Sequence, residues 1–433
     1  MPNMLSRRHR WWLMGLVCLA PGCAHSSRCA HPSGCTDVVT TSCYQPPDLP
    51  TVVQCCFSPD TSALPADARA YPAVASYRGL NEAECPRLAA RASTVGNLLD
   101  QKAQASAASG HTCLLTAGNS GDQSSVVLEL AADEARSRSA GDAMESFYRL
   151  IEAEGRLPLV LLGLNEVSES LGRAEEMQAK GLHPPVEIAA IRKQLTDLRS
   201  DEVDLRIAIL QLNSRLKVLL GLPSGDYSLC PMADLKVVPE EINVDQAVDY
   251  GLHHRPDLAL LGALAYNQDA DSLSLASQAL GGINPLLGEP SSSKASCLAS
   301  LLPCLEGSKN SSAQQQMQSL LVDRTRQATE EIWQAVGQVG YRWQAVILAR
   351  QKVEIEERRL KELEEQKSRG LDVEGELTTA RLNLYKAQGE LLREVVNWKI
   401  ARAQLLQAQG RLLENWPSVD NSSAGATTTG SAP

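Results

Sequence analysis

Lys180-Gly181-Leu182 and Arg369-Gly370-Leu371 stand 189 positions apart, and the residues that follow keep the same spacing. Glu187, Arg192, Leu195, Leu216 and Gly221 trail the first tripeptide, and Glu376, Arg381, Leu384, Leu405 and Gly410 trail the second. In each copy the two glycines are 40 positions apart. A glycine that closes a helix supplies the left-handed residue that other side chains avoid, so Gly181/Gly221 and Gly370/Gly410 bound helices of equal length. The pattern is an internal repeat, and it decides the fold before any local propensity does.

Outward from these turns, the chain from Gly79 onward is rich in Leu, Ala, Gln, Glu and Arg, with apolar residues recurring at three and four, the period of amphipathic helices. The spacing predicts helices over 80–109 and 256–280, unusually long ones over 124–179 and 313–369, and return helices over 186–220 and 375–414. Pro86 and Pro256 open helices, where a missing N–H has no partner to lose. At 1.5 Å per residue each long helix reaches roughly 80 Å if continuous, which no globule accommodates. Pro158 is predicted to kink or interrupt the first of them. The seam Leu195, Leu198, Leu205 and Leu212 suits coiled-coil packing. The expected fold is mainly all-α, made of elongated antiparallel helical hairpins in two repeats.

Composition agrees. Only 4% of the 433 residues are aromatic, with two Phe, too few for a barrel that relies on aromatic girdles but sufficient for rods packed through Leu and Ala. The net charge of −10 repels a free polyanion, so nucleic acid is not an expected partner. Arg7, Arg8, His9 and Arg10 precede an apolar run from Trp11 to Ala20, too short to span a bilayer as a helix; residues 1–22 read as a signal peptide. The run closes on Leu19-Ala20-Pro21-Gly22-Cys23, which resembles a bacterial lipobox, and Cys23 is the expected lipidation site. Residues 23–75 read as a Cys- and Pro-rich spacer holding Cys29, Cys35, Cys43, Cys55 and Cys56 beside His25 and His31. Disulfides suit cysteines in an oxidising periplasm; a metal site is the alternative, although no matched C-x2-C pairs occur. The remaining domain boundaries are expected at 76–221 and 255–415 for the two helical repeats, with a connector at 222–254 and a Ser/Thr/Gly tail at 416–433.

The paired Gly turns, the run Leu219-Leu220-Gly221-Leu222-Pro223 and Arg255-Pro256-Asp257-Leu258 together resemble the TolC-like outer-membrane efflux family over about residues 75–415. The resemblance implies a homotrimer whose helices form a duct across the periplasm. It also implies an outer-membrane location, and partners in a periplasmic adaptor protein and an inner-membrane pump of a tripartite efflux or type I secretion system. Gly181, Leu182, Gly370 and Leu371 would form the adaptor-binding tip. Asp372, Glu374 and Glu376 would line the periplasmic entrance, where threefold symmetry multiplies them into an acidic ring. The family's acidic residue falls on Glu376, but its second acidic position is Thr379 here. The other reading of these acids is that they complement a helix N-terminus.

The family places β-barrel hairpins near residues 110–123 and 281–312. Neither reads as membrane strand: 78–146 and 267–332 contain no Phe, Tyr or Trp, Pro290-Ser291-Ser292-Ser293 is loop, and only His111 to Thr116 could be a short strand. Barrel hairpins are therefore expected to be reduced or absent. No catalytic constellation, P-loop or dinucleotide fingerprint occurs, so no enzyme and no cofactor are expected. Adjacent His253 and His254 do not share a helix face and read as solvated, Gly118-Asn119-Ser120-Gly121 as a turn, and the alternating charges from Lys352 to Lys367 as a solvated face. The alternative function is a lipid-anchored periplasmic coiled-coil protein that spans without conducting.

Overall fold

The computed structural model describes residues 76–110, 120–182, 187–225, 227–238, 241–266 and 311–414, all within one unit of the chain, residues 50–433. Cys23, the cysteines of the spacer, His111 to Thr116, residues 281–310 and the tail beyond 414 lie outside the described residues. The elements run β1 (Ser76–Asn81), α1 (Glu84–Ala92), α2 (Thr94–Gly110), α3 (Ser120–Ala179), α4 (Ile188–Leu219), β2 (Tyr227–Met232), α5 (Val244–His254), α6 (Pro256–Tyr266), α7 (Ser311–Ser368) and α8 (Glu374–Ala408). The order β-α-α-α-α occurs twice, and the fold is mainly α with two hairpin repeats as expected.

Four glycines among the described residues have positive φ: Gly181 at 74°, Gly221 at 61°, Gly370 at 86° and Gly410 at 73°. Each closes a long helix in the same way. Gly181 N–H donates to Gln178 O at 2.9 Å and Leu182 N–H to Met177 O at 2.9 Å, and Gly370 and Leu371 repeat this on Lys367 O and Gln366 O. Gly221 with Leu222, and Gly410 with Arg411, make the same pair of bonds. This is the Schellman arrangement, which satisfies carbonyls that a helix end otherwise leaves open. The repeat visible in the sequence is thus a repeat of helix endings.

α3 and α8 are the inner helices and α4 and α7 the outer ones. α3 packs on α4 and on α8, α8 packs on α7, and α4 has no extended contact with α7 or α8. Burial follows this placement. α8 buries residues around most of its circumference, including Leu384, Leu391, Val396, Trp398 and Ile400, whereas α4 buries only Ile191, Leu205, Asn213 and Leu216. The main core gathers Met144, Phe147, Tyr148 and Ile151 of α3 with Leu216 of α4, Leu229 of β2 and Val396 and Ile400 of α8. Each such side chain contributes about 1.5–3 kcal/mol when fully buried. The predicted seam packs in two clusters: Leu205 is buried with Leu212 beside Ala153 and Leu157 of α3, and Leu195 and Leu198 pack on Val167 and Ala174 of α3.

Some expectations change. Residues 80 and 81 end a strand, because β1 pairs in parallel with β2 from Ser76↔Tyr227 to Asn81↔Met232, and the helix expected over 80–109 divides at Ser93 into α1 and α2. Ser93 Oγ accepts from Gly96 N–H at 3.3 Å, which starts a new helix there. Pro158 lies inside an unbroken α3. Its local cost of about 3 kcal/mol is offset by burial of neighbouring Ala153 and Leu157 against Leu205. Ser120 and Gly121 already belong to α3 rather than to a turn. Pro86 and Pro256 do sit in first turns, but of α1 and α6, which are not equivalent in the repeat. Cys85 and Cys230 are buried thiols outside any disulfide, and burial pushes the Cys85 thiol far above its ordinary range, so these two cysteines do not follow the disulfide expectation.

Candidate functional site

Contacts between α3 and α8 fix how the hairpins lie. Arg173 meets Glu374 at 3.2 Å, Glu166 meets Arg381 at 2.8 Å, and Arg149 donates to Asn397 at 2.9 Å. A Cβ on Gly155 would strike Leu392, and one on Gly141 would strike Gln407. Rising numbers on α3 thus meet falling numbers on α8. The helices are antiparallel, and the turn after α3 and the turn after α7 lie at the same end.

At that end, Gly181 and Gly370 have open space around them, and a methyl group added to either would meet nothing within 4 Å. Leu182 and Leu371 are 55% and 56% exposed, so two apolar side chains project from two rigid turns. Asp372 and Glu376 are exposed as well. Glu374 differs from them: it bonds Lys367 of α7 at 2.7 Å and Arg173 of α3 at 3.2 Å, and the hydrogen bond from Lys367, followed by the charges of Lys367, Arg173 and Arg381, holds its carboxyl below the usual range. The structure therefore brings Gly181, Leu182, Gly370, Leu371 and all three acids to one end, but Glu374 is engaged in joining the hairpins. Arg381 does the same about two turns away, between Glu166 of α3 and Glu364 of α7.

The row α4-α3-α8-α7 is open at both edges. Val203, Ile207 and Leu210 are exposed on α4, and Tyr341, Leu348 and Ile355 on α7. The last three are spaced at seven, the period of a coiled-coil face. Apolar stripes at both edges leave each row with two unpartnered helix faces.

At the opposite end of the return helices, the Arg255-Pro256-Asp257 corner forms a charged hub, which the sequence marks as a landmark without assigning it a role. Arg255 Nε and Nη2 donate to the Asp257 carboxylate at 2.9 and 2.8 Å, and its Nη1 donates to Glu331 at 2.7 Å and to Ala408 O at 3.3 Å. Arg324 of α7 donates to Asp257 at 2.9 Å and to Glu331 at 2.6 Å. Burial pushes the Asp257 carboxyl up, but hydrogen bonds and charge from Arg255, then from Arg324, bring it below its ordinary value; Glu331 behaves likewise. The hub ties the α5–α6 corner and α7 to the last turn of α8. Beside it is a cavity of about 340 Å³ lined by α3, α6, α7 and α8. Among the described residues no group of His, Cys, Asp and Glu is arranged to hold a metal, and no helix is long and apolar enough to cross a membrane. His254 stacks on Tyr250 with ring centroids 3.8 Å apart, and both histidines are exposed, as expected.

No family model matches the sequence, and no curated protein matches it either. Solved structures do resemble the fold. The Neisseria gonorrhoeae MtrE outer membrane channel in its open state is 12% identical, with a TM-score of 0.54 over 77% of this chain and 89% of that one. The outer-membrane channel OprN is 14% identical, with a TM-score of 0.50 over 69% of this chain and 71% of its own. The Campylobacter jejuni CmeC outer membrane channel is 12% identical, with a TM-score of 0.50 over 67% and 66% of the two chains. At such identity the likeness is one of fold, and it joins the doubled helix endings and the antiparallel row in one conclusion: this chain has the TolC-like fold of outer-membrane channels.

Proposed function

We propose that the chain is the outer-membrane component of a tripartite efflux or type I secretion system. It is anchored by lipid at Cys23 and assembles as a homotrimer whose helix rows close into a periplasmic duct. The observation that carries this reading is the row of four antiparallel helices, open at both edges, with both glycine turns at one end. Edges that differ, α4 on one side and α7 on the other, meet head to tail. Such a contact builds a ring when the rotation closes. The tip formed by Gly181, Leu182, Gly370 and Leu371 then faces a periplasmic adaptor bound to an inner-membrane pump, and Asp372, Glu374 and Glu376 surround the mouth.

The edge contact has a direct test. A photo-crosslinking residue placed at Ile207 on α4 should capture the 341–355 stretch of a second copy in membranes, giving species of up to three chains. Crosslinks confined to single chains would overturn the ring. The anchor is tested separately: Cys23→Ser should release the protein from membranes, and unchanged fractionation would remove the lipid.

A second reading, a periplasmic coiled-coil lipoprotein without transport, is favoured by the poverty of strand signal in residues 110–123 and 281–312. A membrane barrel needs about 9–11 alternating residues per strand. Purified protein in planar bilayers separates the two readings. Stable conductance steps altered by Glu376→Gln support the channel, and their absence supports the strut without transport.

A further inference from the structure

The cavity beside the hub is not used by the duct reading. Three cations (Arg138, Arg255 and Arg324) face three anions (Glu134, Asp257 and Glu331) in its walls, so the set is neutral when all are ionised. The hydrogen bonds are shared unevenly. Arg255 and Arg324 are held by Asp257 and Glu331. Arg138 gives only Nε to Glu134, at 2.8 Å, and its two terminal nitrogens bond no protein group among the described residues. Three glutamines of the lining, Gln334 and Gln338 of α7 and Gln404 of α8, are exposed, so the cavity opens to solvent along their side. Their amides are also without a protein hydrogen bond among the described residues.

We propose that this cavity binds a small, singly charged oxyanion, held by Arg138 and the glutamine amides, together with one proton on Glu134. Protonated Glu134 releases Arg138 and leaves one positive charge, which the anion neutralises; anion and proton together add no net charge to a half-buried site, where a lone charge is costly. Glu134 is placed for this. Burial, then the nearby Asp257 charge, raises its carboxyl above the ordinary range, with Arg138 and Arg255 opposing. From α7 it is faced across the cavity by Arg324 and Glu331, which remain paired, and α8 contributes only the uncharged Gln404 and Gln407. Asp257 and Glu331 are held below their ordinary values, so they stay ionised where Glu134 takes its proton.

Calorimetric titration of the full-length protein with lactate and with methanesulfonate, at pH 6 and pH 8 and in buffers of different ionisation heat, tests this. The two probes separate a carboxylate site from one for tetrahedral anions. Saturable binding of either should be tighter at pH 6, by up to about tenfold per pH unit where a whole proton is taken up. Glu134→Gln should bind equally at both pH values without proton uptake. Arg138→Gln should weaken binding about tenfold or more; should that variant lose helicity, Gln404→Leu on the opposite wall should weaken it about threefold. No saturable binding of either anion at pH 6, or pH dependence that survives Glu134→Gln, overturns the proposal.

Discussion

The two ends of the return helices use one backbone device in opposite surroundings. At the tip, Gly181 and Gly370 turn the chain in open space; at the junction, a Cβ on Gly410 would lie 2.5 Å from His254 O and one on Gly221 would lie 2.8 Å from Ala92 Cβ. All four glycines have the same sign of φ and the same pair of closing bonds, so helix termination alone does not distinguish them. The junction glycines also permit close packing, and the tip glycines only turn the chain. The Leu after each tip glycine is therefore exposed without a packing reason, whereas the junction is fixed by buried charge and contact.

The sharpest break in this comparison is expected at the hub. Asp257→Asn leaves Arg255 and Arg324 facing a neutral amide in a buried site, and removing one partner of such a pair costs about 3–5 kcal/mol. Chemical denaturation should report a loss of that size. The acid limb follows the same groups. Asp257 and Glu331 have folded values below 3.8 and 4.5, so their stabilisation is present above those values and disappears as pH falls through the lower folded ones. The wild-type melting temperature should drop below about pH 4, and the drop should be smaller in Asp257→Asn.

Next in size is the glycine contrast itself. Gly410→Ala adds a methyl against a backbone carbonyl to the strain of positive φ, a loss of about 3 kcal/mol. Gly181→Ala carries the strain alone, about 1 kcal/mol. Unfolding free energies that come out equal would show that the junction relaxes around the methyl and would remove the distinction between the ends.

Between the ends, on α3, Glu154 has a buried carboxylate oxygen with no hydrogen-bond partner among the described residues, and burial pushes its carboxyl up to about 8. From pH 4.5 to about 8 the unfolded chain gives up this proton while the folded chain keeps it, so stability falls as pH rises across that window. Glu154→Gln should therefore raise stability by on the order of 2 kcal/mol at pH 8 and change little at pH 4.5. A melting curve that gains nothing at pH 8 would mean the carboxyl reaches water.

The legibility of these features in the sequence follows the range of the forces that make them. Gly181 and Gly370 could be read because a left-handed helix ending is a property of a few adjacent residues, and the second copy repeated it. β1 could not be read: Ser76–Asn81 does not alternate, and its partner Tyr227–Met232 lies beyond the whole first repeat. Arg255 and Asp257 were visible as a motif, but Arg324 and Glu331 join them only through the packing of α7 on α6. Tyr341, Leu348 and Ile355 have the spacing of a packed seam, and only the order of the helices in the row places them on an outer face. Pro158 signals a kink by its local cost alone, and the burial of Ala153 and Leu157 around it outweighs that cost.

The smallest effect on stability is expected at the tip, where it sharpens the comparison most. Leu182 and Leu371 are more than half exposed, beside glycines with open space around them, so replacing both by Asp removes little buried area. The variant should unfold within about 0.5 kcal/mol of wild type with unchanged helicity. Its two new charges do alter what the tip offers a partner. An apolar contact that desolvates two leucines becomes one that must desolvate two carboxylates, which is strongly unfavourable. In cells that carry an adaptor, crosslinking from this end should be lost in Leu182→Asp/Leu371→Asp and retained in Gly181→Ala, which strains the turn but keeps the leucine. Equal crosslinking in the Asp variant and wild type would place adaptor contact elsewhere and leave the exposed leucines without a role, whereas a large loss of stability would mean that the tip is packed as the junction is.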